Sequence, residues 1–337
     1  MLLFGGCVME TSVCQCEKVD TNFITVLRLL CCIQVFLIHY FVRIGLRDYV
    51  GIFCGAVPCF LYMSAFLYGI NKQKLDGVGF FKKRWLSLSS TYYPFLLFAF
   101  LYILIWFSLT DQYIDLKSMI LGMVCSIFFL PDVKTIPECG HLWFIQTLVV
   151  CYVVLWTCKK NKFIKKIFES HYWIMLVVVL LLLSSFLYRG PITVYVCCYL
   201  WMFYNTDKMK NYVKEKCDNW IVTLVHVAVL LICYSLYLLV DVNAFSQWVY
   251  FRYWLASIIG IETIVLFMMI FKLQKIRRLN NIIMFGASIS MEIYLVHHLF
   301  VFYYPLYLSL PLTVGLTIVL KKVGLRFRNF FNREKGT

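Results

Sequence analysis

The sequence predicts an all-α polytopic membrane protein with about ten transmembrane helices, N-in and C-in, plus one short re-entrant or interfacial segment. Three observations lead to this fold class: the composition, the number of long apolar runs and the positions of the basic loops. The 337 residues have a mean hydropathy of +0.80. Only 15% of them are charged, whereas a soluble globular protein has about 25%. An ordinary soluble domain is therefore excluded.

The apolar runs give the number of spans, because a membrane-spanning helix needs about 20 mostly apolar residues. Ten such runs follow one another along the chain, at about 22–44, 50–70, 86–109, 141–158, 171–188, 190–205, 219–240, 247–271, 280–302 and 304–320. A shorter eleventh run at 117–130 is ambiguous by length alone.

The basic loops decide the status of that shorter run. Five loops hold 24 of the 32 Lys and Arg residues: "NKQKLDGVGFFKKR", "KKNKFIKK", "DKMKNYVKEK", "KLQKIRR" and "KKVGLRFRNFFNREK". Positive residues collect on the cytoplasmic side of membrane proteins, and all five loops lie there only if 117–130 does not cross. We therefore expect a cytoplasmic tail at 1–20, one transmembrane domain at 21–321 and a basic cytoplasmic tail at 322–337, in the inner or plasma membrane.

The net charge of +15 is divided among these short loops. A nucleic-acid-binding protein gathers its positive charge on one face or arm, so no nucleic-acid partner is expected; the lipid bilayer is. Most of the 15 cysteines lie inside apolar runs, where Cys behaves as a small hydrophobe. No metal site is expected.

The stretch "RLLCCIQVFLIHY" places Arg28 and His39 within the first apolar run. Their spacing of eleven residues puts them on one helix face, about 16 Å apart along the axis. An arginine at the centre of a lipid-facing helix costs roughly 2.5 to 3.5 kcal/mol on insertion scales. This face is therefore expected to line a protein interior or a wet cavity.

Other ionisable residues lie in later runs. Glu262 and Glu292 are the two candidates for an ion pair with Arg28. Near Glu292, the residues Ser290, Tyr294 and His297 lie close to one helix face, whereas Glu292 points about 140° away from His297. His298 follows directly after them. His226 has no polar neighbours in its run, and a packed core histidine is the simpler interpretation.

Two further groups have both a structural and a functional interpretation. His141 and Trp143, in "GHLWF", begin a span on the predicted outer side, where such residues are often membrane-interface anchors. Lys82, Lys83 and Arg84 begin the third span on the cytoplasmic side. They are most simply the positive-inside signal, and otherwise suit a phosphorylated ligand.

Taken together, "R" then ten residues then "H", the "HLWF" start of a middle span and "SMEIYLVHH" near the C-terminus resemble the acyltransferase-3 family of integral membrane acyltransferases. The resemblance covers nearly the whole chain. It implies about ten spans and transfer of an acyl group, usually acetyl from acetyl-CoA, to a sugar hydroxyl of a surface polysaccharide, lipopolysaccharide or related glycan. Relatives commonly carry two arginines three residues apart where span 3 begins, whereas here Ser87 stands three residues after Arg84; Lys82 and Lys83 are possible substitutes.

On this resemblance His39 is expected to be the general base, because histidine titrates near neutrality, and Glu292 is expected to orient it, with Glu262 as the alternative. Arg28 is expected to contact the donor or to pair with the remaining glutamate. Acetyl-CoA is a co-substrate, and no tightly bound cofactor is expected.

The donor would enter past the cations that begin span 3, and the glycan would wait at an acceptor side made of His141, Trp143, Ser290, Tyr294 and His297. Direct transfer and an acyl-histidine intermediate are both compatible with these residues. A transporter or flippase for a glycan or lipid-linked intermediate is the alternative function, and a purely structural membrane subunit is the third reading.

Overall fold

The computed structural model describes residues 22–71, 78–111, 113, 115–170, 192–240, 248–272 and 281–333, and within them the chain is helical without a strand. The helices are α1 Asn22–Arg43, α2 Ala56–Ile70, α3 Val78–Leu109, α4 Leu116–Ile127, α5 Trp143–Cys158, α6 Lys162–Glu169, α7 Ile192–Lys216, α8 Trp220–Leu239, α9 Trp248–Ile270, α10 Asn281–Ser288, α11 Ser290–Val301 and α12 Leu306–Arg333, with short 3₁₀ turns at Arg47–Phe53 and Gly140–Leu142. The all-α fold class is confirmed.

Seven helices in the described residues are long and apolar enough to cross a membrane, or eight if the bent pair α10 and α11 is one span. With the bent pair counted as one span, these helices correspond to eight of the ten predicted runs. Of the two remaining runs, the one at 171–188 lies outside the described residues. Of the run at 190–205, residues 192–205 form the first part of α7, a 25-residue helix whose last third is rich in Lys, Asp and Glu. The structure thus supports seven or eight spans and does not confirm ten.

The predicted re-entrant run forms α4, whose twelve residues extend about 18 Å, well short of the roughly 30 Å hydrocarbon core. The helix packs along α3, where the Tyr92 hydroxyl donates to the Ser126 carbonyl at 3.0 Å and the Phe129 ring stacks on Tyr92 at 5.0 Å. The chain then turns back along α4. A Cβ added at Gly122 would lie 2.3 Å from the Thr135 carbonyl oxygen, so only glycine permits this close return.

The bend between α10 and α11 measures 69°. Both flanking serines bond back into the preceding turn: Ser288 Oγ donates to the Phe285 carbonyl and Ser290 Oγ to the Ala287 carbonyl. Lys321 of α12 donates to the Ser288 carbonyl at 3.1 Å and to its hydroxyl at 2.6 Å. A cation is well placed at a helix C-terminus, where the carbonyl groups lack partners. The break is therefore held by side chains from two helices.

The last helix is longer than the final apolar run. α12 continues to Arg333, so most of the predicted 322–337 tail prolongs a helix. α12 packs against α11 and α3, and α11 packs against α1. These four helices, with the start of α5, surround the polar residues described next.

Candidate active site

Four histidines from three parts of the chain meet inside the bundle: His39 of α1, His141 before α5, and His297 and His298 of α11. We call them the histidine cluster. The His39 ring centroid lies 5.0 Å from that of His297 and 4.6 Å from that of His298. His141 stacks on His298 at 4.5 Å and lies 5.4 Å from His297. Three of these residues are site candidates from the sequence, and His298 is not among them.

Hydrogen bonds to backbone carbonyls assign the tautomers of three of the rings. His141 Nε2 lies 3.0 Å from the Leu295 carbonyl oxygen, His297 Nδ1 lies 2.7 Å from that of Tyr294, and His298 Nδ1 lies 2.5 Å from that of Glu138. A carbonyl oxygen only accepts, so each of these nitrogens carries the hydrogen, and the other nitrogen of a neutral ring has a free lone pair.

Two of these lone pairs stand out. Among the described residues, His141 Nδ1 and His297 Nε2 are buried and have no hydrogen-bond partner. Buried polar atoms are nearly always satisfied, so these two acceptors suit a partner that donates hydrogen bonds. A hydroxyl group has that property.

Tyr294 holds the backbone of His141 in place. Its hydroxyl donates to the His141 backbone carbonyl at 2.7 Å, and its ring lies 5.7 Å from that of His297. The aromatic rings of Phe36 and Phe302 contact the cluster from α1 and from the end of α11. Aromatic rings therefore border the polar histidine side chains.

Arg28 lies three turns before His39 on α1. It lines a cavity of about 140 Å³, which we call the Arg28 cavity. Its walls include Ser290, Tyr294 and Tyr152, so Tyr294 touches both this cavity and the histidine cluster. As predicted for this face of α1, the arginine borders a cavity within the protein. Ser290 lies in this wall with its hydroxyl bonded to the Ala287 carbonyl at 3.0 Å.

The two glutamates lie elsewhere. Glu262 pairs with His226 at 2.6 Å, and the Tyr212 hydroxyl lies 2.9 Å from the other nitrogen of His226. His226 is therefore not the isolated packed residue that its sequence context indicated. Glu292 faces Thr91 and Lys321, in keeping with its predicted angle away from His297. The structure does not bring either glutamate to His39 or Arg28 in the described part of the chain.

The cations at the start of α3 border a second cavity of about 310 Å³, the Arg84 cavity, whose walls are Phe81, Lys82, Arg84, Trp85, Leu88, Val149 and Tyr152. The Arg84 guanidinium lies over the Tyr68 ring at 4.7 Å. Lys83 is exposed and outside these walls. Tyr152 lines both cavities, so the two cavities adjoin. Tyr152 is not a candidate from the sequence, because an isolated Tyr in an apolar run carries no signal.

Trp143 does not join the histidine cluster. Its ring stacks on Tyr195 of α7 at 5.9 Å, which makes it a packing contact between α5 and α7. Within the described ranges, no group of three or more His, Cys, Asp or Glu side chains is arranged to hold a metal ion. The histidine cluster and the two cavities present imidazole, hydroxyl and guanidinium groups.

Fold and site together define a multi-pass helical membrane protein with a buried histidine site that cationic cavities approach from one end. The model of the acyltransferase-3 family, described as an acyltransferase domain, matches residues 21–320, nearly the whole chain. The chain belongs to this family, which confirms the resemblance seen in the motifs. No curated protein and no solved structure gives a significant match. Family membership makes the chain a membrane acyltransferase, with an acyl donor and an acceptor as its partners.

Proposed function

We propose that the protein is an O-acetyltransferase of the cell membrane, moving an acetyl group from cytoplasmic acetyl-CoA to a sugar hydroxyl of a surface polysaccharide, lipopolysaccharide or related glycan. The observation that carries the proposal is the histidine cluster, which places His39 against two rings of α11 at 5.0 and 4.6 Å. Imidazole suits proton transfer near neutral pH without any metal.

In the proposed reaction the sugar hydroxyl oxygen attacks the thioester carbonyl carbon while a His39 nitrogen takes the hydroxyl proton. The carbon–sulfur bond then breaks, and the CoA thiolate leaves and takes a proton. The free lone pairs of His141 Nδ1 and His297 Nε2 accept hydrogen bonds from neighbouring sugar hydroxyls. These contacts favour a polyhydroxyl acceptor over a simple alcohol.

The donor approaches from the other end of the bundle. Lys82 and Arg84 border the Arg84 cavity, where cations suit the phosphates of a nucleotide donor. The pantetheine arm passes Tyr152 into the Arg28 cavity, where Arg28 donates hydrogen bonds to its carbonyl oxygens. Because Tyr294 touches both this cavity and the cluster, the thioester arrives beside the histidines.

The test is transfer of labelled acetyl from acetyl-CoA to the surface glycan in membranes matched for protein level. His39→Ala is expected to lower the rate by about 10²- to 10⁴-fold, the usual loss of a general base. His226→Ala is the matched control, because that histidine is also within an apolar helix but pairs with Glu262, outside the cluster.

Equal losses in the two variants would contradict the assignment of His39. Absence of label from the wild type, with the glycan supplied, would reject acetyl transfer and favour the transport of a glycan intermediate.

A further inference from the structure

A third cavity, of about 390 Å³, lies between the N-terminal part of α3 and the C-terminal extension of α12, outside the site described above. We call it the Phe327 cavity. Its walls are Lys82, Trp85, Leu86, Ser89, Tyr93, Phe327 and Phe331. Four of these seven residues are aromatic, and one is a cation. Lys82 and Trp85 also border the Arg84 cavity, and the function proposed above gives the other five no role.

α12 meets α3 closely at one end of this cavity. A Cβ added at Gly324 would lie 3.0 Å from the Ser90 carbonyl oxygen, so the helix backbones touch there. Phe327 and Phe331 follow Gly324 by three and seven residues and therefore project from the same face of α12. They close the cavity opposite the α3 residues.

The aromatic rings leave faces open to a ligand. Trp85 is 51% exposed and Phe331 is 43% exposed, although both border a cavity. Trp85 meets Tyr93 with its rings inclined at 65°, and Phe327 meets Phe331 at 50°. Flat heterocycles such as nucleobases stack on aromatic side chains of this kind.

One cation lies in the cavity wall, and others are close to wall residues in the sequence. Lys82 is in its wall, Lys83 is the next residue, and Arg326 and Arg328 flank Phe327 on α12. An apolar lipid tail offers no group that these cations can bind. A nucleotide combines an aromatic base with phosphates, which Lys and Arg bind well. Charge and ring chemistry thus favour a nucleotide as occupant.

The cavities form a series that leads to the histidine cluster. Lys82 and Trp85 line both the Phe327 and the Arg84 cavity, and Tyr152 lines both the Arg84 and the Arg28 cavity. Trp85 and Phe95, whose ring contacts His141, are ten residues apart on α3, or about 15 Å along its axis. A ligand with its base at Trp85 therefore needs a long arm to reach the histidines, and acyl-CoA has such an arm.

We propose that the Phe327 cavity binds the adenosine phosphate end of the acyl-CoA donor, with the adenine ring against Trp85 and Phe327 and a phosphate at Lys82. This inference rests on the proposed function and makes that function more specific. It assigns donor recognition to the part of α12 beyond the last apolar run.

The test compares two donors that carry the same thioester: acetyl-CoA, and acetyl-pantetheine, which lacks the nucleotide. In Phe327→Leu, the KM for acetyl-CoA is expected to rise about 5- to 150-fold, the loss of one base stack. The kcat and the use of acetyl-pantetheine stay unchanged. Trp85→Leu is also expected to raise the KM for acetyl-CoA, and Trp85→Phe to restore most of the affinity because the ring is kept.

Phe330→Leu is the matched control, because Phe330 lies on the same helix, is 61% exposed and is not part of the cavity wall. Its KM for acetyl-CoA is expected to equal that of the wild type. Elution of each purified variant as a single sharp peak on size-exclusion chromatography establishes that it is folded.

Binding of radiolabelled CoA to the purified protein separates this proposal from the proposed function. Wild type that binds CoA more tightly than Phe327→Leu, yet transfers no acetyl group, would support the cavity and reject the transferase. Wild-type transfer with an unchanged KM in Phe327→Leu would overturn the cavity assignment alone. Equal losses with both donors, or a KM that follows the anionic lipid content instead of the variant, would also overturn it.

Discussion

Replacing Tyr294 by Phe should lower activity out of proportion to its effect on stability. The change removes only the hydroxyl that donates to the His141 carbonyl at 2.7 Å, within a site where Tyr294 and His141 are each 4% exposed. A buried acceptor left without a partner costs about 1–3 kcal/mol. If this free energy is expressed as displacement of His141 from the cluster, the transfer rate falls about 5- to 150-fold.

Tyr62→Phe is the matched control. The Tyr62 hydroxyl also donates over 2.7 Å, to Ser257 Oγ, and both residues are fully buried, but they lie between α2 and α9, away from the histidines. Denaturant titration in detergent measures the stability loss of each variant, and acetyl transfer per folded protein measures the rate. Similar stability losses with a rate loss only in Tyr294→Phe are expected. A Tyr294→Phe enzyme that is destabilised yet fully active would refute the positioning role.

Three other changes test the rest of the structure. Gly122→Ala should lower the free energy of unfolding by about 1–3 kcal/mol, because its Cβ would collide with the returning backbone. Gly79→Ala is the control and should not lower it, because a Cβ there meets nothing within 4 Å. Thermal unfolding in detergent compares the two variants. Lys321→Met should cost about 1.5–3 kcal/mol, the value of hydrogen bonds to a charged group, and denaturant titration detects it. An epitope inserted after residue 160 should be reached by antibody only from the cytoplasm and one after Asp111 only from outside, and the opposite labelling of intact cells would reject the predicted orientation.

Much of the helical framework followed from hydropathy, because apolar runs of spanning length have little alternative in a bilayer. The break at Ile289 did not, since the apolar character continues across it from 280 to 302. Its local signal is the pair Ser288 and Ser290, but the stabilising cation comes from Lys321, more than 30 residues later. Interactions of this kind depend on how helices pack and not on the pattern within any one of them.

The site shows the same division. The face of α1 that carries Arg28 and His39 was predictable from spacing alone, and the angle between Glu292 and His297 was as well. His298 was missed because it points about 100° away from His297 on the helix, and only the loop that carries Glu138 reveals its partner. The pairing of Glu262 with His226 had a usable signal, since both residues lie at similar depth in consecutive apolar runs.

That pairing has a consequence for how the protein enters the membrane. α8 has a single buried residue, Cys233, among its twenty, and it still carries His226, whose partner is on the next helix. An unpaired acidic side chain near the middle of a helix makes insertion of that helix into the bilayer less favourable by roughly 2.5 to 3.5 kcal/mol. Glu262 is the acidic residue and lies on α9, so α9 is the helix that gains from having α8 beside it. We therefore expect the two helices to enter the bilayer together as a hairpin.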